Sequence, residues 1–308
     1  MTEKVSFEAK SFDDWEEYKG FPEGSGRSEK LWLQSPDGKI GLFKYPKFDS
    51  ETGITTTEHI SEHLASIIGK SLGIQTAEVD LGIYKNRVGS ISYLVNGKNE
   101  YVIEGLQFLL NKYPNYDKDN LIDKDSGGHY CLEYILSIFN DPKWKEFVVK
   151  MVLFDFFIGN GDRHQNNWAV LLRYEEQESE LYTRLCPLYD NGSSLCCYIK
   201  DENVSYYLGK DINRFNALID SKSKSIIRIH PLDKQRPTHK EMVTFLLKNC
   251  PETYGYAREL LSRFVCNNVV DYIDYYSDAF VSHEKKELIR RFLLGKYSLL
   301  WKVVNEVS

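Results

Sequence analysis

At 308 residues with a formal net charge of -6, the chain exceeds an average single domain, and its acidic balance argues against nucleic acid as the main ligand. Apolar residues make up 42% and charged residues 27%, enough to fill a core and ordinary for a globular protein. The six cysteines include no C-x-x-C pair, which argues against a zinc framework and fits a reducing compartment.

The start, Met1 to Val5, has no apolar segment of the secretory kind. The longest apolar run, Phe147 to Ile158, contains Lys150 and Asp155 and is too short to span a bilayer. A soluble, cytoplasmic protein is expected, and export as an effector without a signal peptide is compatible with the sequence.

Residues 1–96 read as β-rich with one helix. The loop Phe21 to Lys30 holds Gly24, Ser25 and Gly26, whose backbone amides could approach a phosphate closely, with Arg27 or Lys30 adding charge. It matches neither a P-loop nor a full G-x-G-x-x-G, and by itself it reads better as an ordinary surface loop. A strand, Leu31 to Leu33, then meets the turn Ser35-Pro36-Asp37-Gly38 and a second strand, Lys39 to Pro46. Alternation puts Ile40, Leu42 and Lys44 on one face. At that strand end Lys44 can reach nucleotide phosphates or run out to water, and spacing leaves both open.

Thr55-Thr56-Thr57-Glu58 reads as a capping box opening a helix with the apolar stripe Ile60, Leu64, Ile67, Ile68, Leu72, closed by Gly73. Glu62 shares its face with Ala65 and Gly69, so it could approach a strand and pair with Lys44; a solvated helix face is the plainer reading. His59 and His63 on this helix read as exposed. Two strands follow, about Glu78 to Tyr84 and Arg87 to Val95, and Gly97-Lys98-Asn99 marks the boundary with a helical part, residues 97–308.

In that part Tyr101 to Lys112, Tyr130 to Asn140 and Lys143 to Ile158 read as helices, and the acidic stretch Pro114 to His129 as a solvated loop. The last helix breaks at Gly159-Asn160-Gly161 and presents Asp162-Arg163-His164-Gln165-Asn166-Asn167. A hairpin, Trp168 to Tyr174 and Leu181 to Leu185, returns the chain to Leu188-Tyr189-Asp190-Asn191-Gly192. From His239 onward four helical segments are expected. Asp162 followed by Asn167, then Asp190-x-Gly192, is the pattern phosphoryl transfer from a metal-bound nucleotide requires. One carboxylate orients and deprotonates the acceptor hydroxyl, and an Asn and a second carboxylate hold magnesium.

The stretch Gly159 to Trp168 resembles the catalytic loop of HipA-like kinases, in which Asp precedes His, and Cys186 to Ser193 is similar to their metal-binding turn. The likeness extends to Ile60 to Ala65, Ser71 to Gly73 and Leu81 to Asn86, and it is to the short members of the group. The resemblance implies an α+β, two-lobed kinase-like fold with a β-rich N-lobe at 1–96 and a helical C-lobe at 97–308. It implies ATP and Mg2+ as cofactors, transfer to protein Ser or Thr, with Tyr also open, and autophosphorylation, for which Ser25 and Ser28 are candidates. Position by position it implies Lys44 anchoring phosphates, Glu62 as its partner, Asp162 as base with His164 shaping the loop, and Asn167 and Asp190 as metal ligands. Adenine contacts are expected near Tyr93 and Leu94. The chain has no room for the amino-terminal subdomain of full-length HipA toxins, so no paired antitoxin is expected. Gly161-Asp162-Arg163-His164-x-x-Asn167 also matches phosphatidylinositol kinases, which keeps a lipid head group as an alternative acceptor; a nucleotide-binding regulatory module without turnover and a metal-dependent phosphohydrolase using Asp162, His164 and Asp190, a site that would want further His and Asp ligands, are the other readings.

Overall fold

A computed structural model describes residues 6–20, 29–49, 54–175 and 180–307. Four strands come first: β1 (Lys10–Ser11), β2 (Glu16–Glu17), β3 (Lys30–Gln34) and β4 (Ile40–Lys44). A short hairpin, β5 (Phe48–Asp49) and β6 (Ile54–Thr55), leads into helix α1 (Glu58–Leu72), and β7 (Val79–Tyr84) and β8 (Arg87–Tyr93) follow. These strands, the short hairpin apart, form one six-stranded sheet in the order β1-β7-β8-β4-β3-β2. Its two tight hairpins have the expected turn chemistry: Gly38 takes φ 89° between β3 and β4, and Lys85 and Asn86 take φ 49° and 61° between β7 and β8.

Register assigns the two faces of this sheet. Lys44 lies opposite Lys30 and Ser90, Leu42 opposite Trp32 and Ser92, and Ser90 opposite Leu81, so these residues share one face. On the other face Leu33, Phe43, Ile91 and Tyr93 form a separate apolar cluster with Phe12. Helix α1 packs on β7 and β8 and joins the main core through Ile60, Leu64, Ala65, Ile68 and Leu72. Gly73 ends it at φ 77°.

The start of α1 departs from expectation. Thr57 makes no side-chain cap; its N–H donates to the Cys197 carbonyl at 3.2 Å, so a tertiary contact replaces the local capping box. His59 and His63 are buried rather than exposed. His63 Nδ1 lies 2.7 Å from the Tyr276 hydroxyl, and the Phe7 ring meets its edge. A helix that docks on a sheet and on a second helical layer has little free face left, which single-stripe periodicity does not reveal.

Beyond Gly97 the chain leaves that sheet. Strand β9 (Glu100–Glu104) occupies part of the expected helix, and α2 is only Gly105–Lys112. Glu100 to Glu104 are drawn into a ladder with β12, which overrides local propensity. The stretch expected to be loop carries a small ladder, β10 (Tyr116–Asp117) with β11 (Ile122–Asp123), and α3 (Leu132–Leu136) is shorter than expected. Helix α4 (Pro142–Ile158) begins on an Asp141 cap, whose carboxylate accepts from the Lys143 N–H at 2.8 Å, and ends at Gly159 with φ 69°. Its second half is buried all round, the mark of a central core helix.

Strands β12 (Ala169–Glu175) and β13 (Glu180–Leu185) complete a three-stranded sheet, β13-β12-β9. Two helices that the periodicity does not announce, α5 (Asp201–Leu208) and α6 (Ile212–Ile219), follow. Then come α7 (His239–Asn249), α8 (Thr253–Cys266), a 3-10 segment at Val269–Tyr275 and α9 (His283–Val307). No helix among the described residues is long and apolar enough to cross a membrane. All six cysteines are free.

Candidate active site

The break after α4 is built from inside out around Arg163. Its side chain is buried at 1% exposure, and each of its N–H groups finds an acceptor. Nε donates to Asp155 Oδ2 at 3.1 Å and Nη2 to Asp155 Oδ1 at 2.7 Å. Nη2 also reaches Asn191 Oδ1 at 2.6 Å, and Nη1 donates to the carbonyls of Asn167 at 2.9 Å and Tyr189 at 2.7 Å. One guanidinium thus ties the last turns of α4, the 159–167 loop and the 188–192 turn together. Burial pushes the Asp155 carboxyl up, and the Arg163 charge opposes that.

Asn160 is the second organiser. Its N–H bonds the Asp155 carbonyl at 3.0 Å, its Nδ2 donates to Asp155 Oδ1 at 3.2 Å, and its Oδ1 accepts the Asp162 N–H at 3.0 Å. Asp162 therefore leaves the loop at a fixed angle. Its side chain is exposed and makes no hydrogen bond among the described residues. Partial desolvation by the surrounding cleft pushes its carboxyl up although the residue keeps an exposed face, His164 opposes that, and the Asp190 charge adds to it. Asn167, buried, donates Nδ2 to the Asp162 carbonyl at 2.8 Å, which leaves its Oδ1 without a hydrogen bond among the described residues. His164 accepts the Asn166 N–H on Nδ1 at 3.2 Å, so its neutral form carries the proton on Nε2.

Asp190 stands in a left-handed turn at φ 55° and meets Lys44 from the sheet, Nζ to Oδ1 2.7 Å. Glu62 Oε2 is 3.9 Å from the same ammonium, while its Oε1 accepts the Asn191 N–H at 2.8 Å. Burial works against charge on all three. For Lys44 the Asp190 and Glu62 carboxylates outweigh it and hold the ammonium above its ordinary value. For Asp190, Lys44 prevails and the carboxyl is held down to about 2. For Glu62 burial prevails, pushing the carboxyl up against the pull of Lys44. The 188–192 turn is also hooked to the segment after α1: Leu188 N–H donates to the Gln75 carbonyl at 2.8 Å and Ala77 N–H to the Leu188 carbonyl at 2.9 Å.

Lys44, Glu62, Asp190, Asn167, Asp162 and His164 are thus gathered at one edge between sheet and helices. Tyr93 is not. Register puts it on the opposite face from Lys44, where its hydroxyl donates to Asp80 Oδ2 at 2.6 Å and Lys39 covers its ring. The N–H groups of Tyr93 and Leu94 are both spent in the sheet, on the Glu78 and Ile40 carbonyls. Gly24, Ser25 and Gly26, with Arg27 and Ser28, lie outside the described residues.

Sequence reasoning assigned no role to Asp155, Asn160, Arg163, Asn191 or His239. Asp155 had a signal, a lone carboxylate near the end of an apolar helix, since such a charge must have a partner. His239 had none, because its contact is made across the fold.

The site's donors fit a hard cation beside phosphates. Asp190 stays ionised at neutral pH and Asn167 offers an amide oxygen, the oxygen-only set magnesium takes. No group of three or more His, Cys, Asp or Glu residues able to hold a metal by themselves occurs among the described residues.

No family model matches the chain. It is similar to the serine/threonine-protein kinase CtkA of Helicobacter pylori, 26% identical over 224 residues, which is 68% of this chain and 62% of that protein, so the match spans less than two thirds of the relative. The crystal structure of a Helicobacter pylori proinflammatory kinase CtkA superposes with a TM-score of 0.79 at 22% identity, over 98% of this chain and 100% of that one. HipA of Shewanella oneidensis MR-1, solved with HipB and operator DNA, gives a TM-score of 0.57 at 12% identity, over 96% of this chain and 68% of that one.

Proposed function

We propose, for a chain that is HipA-like in fold and in its Asp-before-His loop, an ATP- and magnesium-dependent transfer of the γ-phosphoryl group to a serine or threonine hydroxyl of a protein. The observation that carries this reading is the contact of Lys44 with Asp190 at 2.7 Å, with Glu62 behind, because it unites a cationic phosphate anchor and an ionised metal ligand beside Asp162.

In this reading Lys44 holds the nucleotide phosphates, and Glu62, 3.9 Å from its ammonium, keeps it charged and near the site. Asn167 Oδ1 and the Asp190 carboxylate would hold a magnesium ion, which would supply charge neutralisation on the phosphates. The Asp162 carboxylate accepts a hydrogen bond from the acceptor hydroxyl and takes its proton as the new O–P bond forms and the bond to the leaving phosphate breaks. His164 shapes the loop through its Nδ1 contact. Adenine is held by groups other than the Tyr93 ring. The same chemistry allows phosphate to be placed on the chain itself.

The test is incubation of the chain with labelled ATP and magnesium, with a generic protein substrate, for wild type, Asp162→Asn and Asp190→Asn. Mass spectrometry of the chain and substrate then locates the modified hydroxyls. Label on serine or threonine that disappears in both variants supports the reading. Label on lipid alone, ATP binding without turnover, or unchanged transfer in both variants overturns it.

Lys44→Met is expected to weaken ATP binding by roughly 10–100-fold, the worth of a charge-assisted contact. The same substitution should let the Asp190 carboxyl rise from about 2 toward its ordinary value of 3.8. Titration calorimetry with ATP and NMR titration of Asp190 check the two effects.

A further inference from the structure

Behind the catalytic loop a buried polar chain runs from the last helix to Asn160. Lys296 of α9, at 0% exposure, donates from Nζ to Ser223 Oγ at 2.6 Å. Ser223 Oγ lies 2.9 Å from His239 Nδ1, and His239 Nε2 lies 2.8 Å from the Asn160 carbonyl. A carbonyl can only accept, so Nε2 carries the ring proton; Nδ1 is then the acceptor and the Ser223 hydroxyl must donate to it. Lys296 in turn takes the remaining lone pair of that hydroxyl. Every donor direction along the chain is therefore determined, and it points at the residue whose Oδ1 holds the Asp162 N–H.

We propose that Lys296, Ser223 and His239 form a positioning relay that holds Asn160, and through it Asp162, in the geometry needed for transfer. This rests on the kinase reading above for its effect on rate, but not for its geometry. Three observations argue that the chain is more than core filling. A buried lysine with no carboxylate within salt-bridge distance among the described residues is expensive, and here it is kept with one hydroxyl and the faces of Phe156 and Phe292, 4.7 and 5.4 Å from its Nζ. His239 is buried at 1% exposure and held neutral. The chain ends at the glycine-flanked Asn160, where Gly159 is left-handed and Gly161 sits against the Lys224 carbonyl, and it adds a hydrogen bond to the Asn160 carbonyl that the Arg163 and Asp155 contacts do not supply.

The relay has a proton-linked signature. Burial pushes the Lys296 ammonium down to about 7 from 10.5, against the pull of Asp220 at the end of α6 and Cys196 after the 188–192 turn. Helix α4 offers it only the Phe156 ring, α9 the Phe292 ring, and α7 the neutral His239. The folded protein therefore binds fewer protons than the unfolded chain between pH about 7 and 10.5, and stability rises with pH across that window. Lys296→Met should lack this rise.

The experiment uses the full chain as wild type, Ser223→Ala, Lys296→Met, His239→Phe and His239→Gln. Gln can return an N–H to the Asn160 carbonyl, whereas Phe cannot. The expected result is a kcat lowered roughly tenfold in Ser223→Ala, Lys296→Met and His239→Phe, with KM for ATP unchanged and most of the rate restored in His239→Gln. Wild-type kcat in the first three, a change in KM alone, or equal loss in both His239 variants would overturn the proposal. Two readouts need no turnover. NMR of the His239 ring should find the proton on Nε2 in the wild type, and amide exchange at Asp162 should quicken in Ser223→Ala. A proton on Nδ1, or Asp162 exchange unchanged in Ser223→Ala, sinks the relay. If the wild type transfers no phosphate but these two readouts hold, the kinase reading fails and the relay geometry stands.

Discussion

Asp162→Asn is expected to lower phosphoryl transfer by about 10²–10⁴-fold, the range a positioned general base contributes. The substitution keeps size and removes the ability to take a proton. It should leave the fold intact, because the Asp162 carboxylate is exposed and makes no hydrogen bond among the described residues; the loop is held instead through its N–H and carbonyl. Thermal unfolding of the variant should therefore match the wild type, while ATP binding persists through Lys44. The pH profile carries a second mark. Partial desolvation in the cleft and the nearby Asp190 push the Asp162 carboxyl above its ordinary value of 3.8, with His164 opposing. The base must be deprotonated to act, so transfer should fall as pH drops through that raised pKa. Transfer at the wild-type rate in Asp162→Asn would remove Asp162 from the chemistry.

Arg163→Met is expected to destabilise the fold by about 3–5 kcal/mol, the cost of leaving one member of a buried ion pair without its partner. The loss concentrates on one carboxylate, Asp155, which is 4% exposed and would face a cavity edge without a cation. The loop and the turn lose their shared donors at the same time, since the Asn167, Tyr189 and Asn191 oxygens all depend on that guanidinium. Urea unfolding gives the measurement. Arg163→Lys should recover only part of the loss, because an ammonium has three donors and no planar fork. The double variant Asp155→Leu with Arg163→Met should be more stable than Arg163→Met alone, since it removes the stranded charge. A loss below about 1 kcal/mol in Arg163→Met would mean that the network is not a structural hub.

How much of this was legible beforehand differs by residue. For Lys44 and Glu62 the strand end and the helix face leave solvent-facing positions open, and the resemblance supplies the pairing; the register and the packing of α1 bring the two side chains within 3.9 Å. The closer partner of Lys44 is Asp190, which no local pattern indicates, because the contact depends on how the 188–192 turn hangs from the segment after α1. The Tyr93 side chain lies on the face away from Lys44 for a simple reason: its position relative to Lys44 depends on cross-strand register, and register is set by pairing rather than by spacing along the chain. The helix expected from Tyr101 became a strand because β12 was waiting to pair with it. His59 and His63 were read as exposed because a helical wheel shows one apolar stripe and cannot show a second docking surface.

What the sequence determined alone was whatever depends on adjacent residues. That includes the β-rich beginning and helical remainder, the turns at Gly38 and Lys85-Asn86, the break after Ile158, and the order of Asp162, His164, Asn167 and Asp190. Backbone preferences and apolar periodicity act over a few residues, so they leave marks in the chain itself. Tertiary structure alone decided the rest: the capture of Lys44 by Asp190, the burial of Arg163 against Asp155, and the reach of His239 to the Asn160 carbonyl. Each joins residues from separate elements, and its strength comes from burial in a shared interior, where an unpaired polar group is costly.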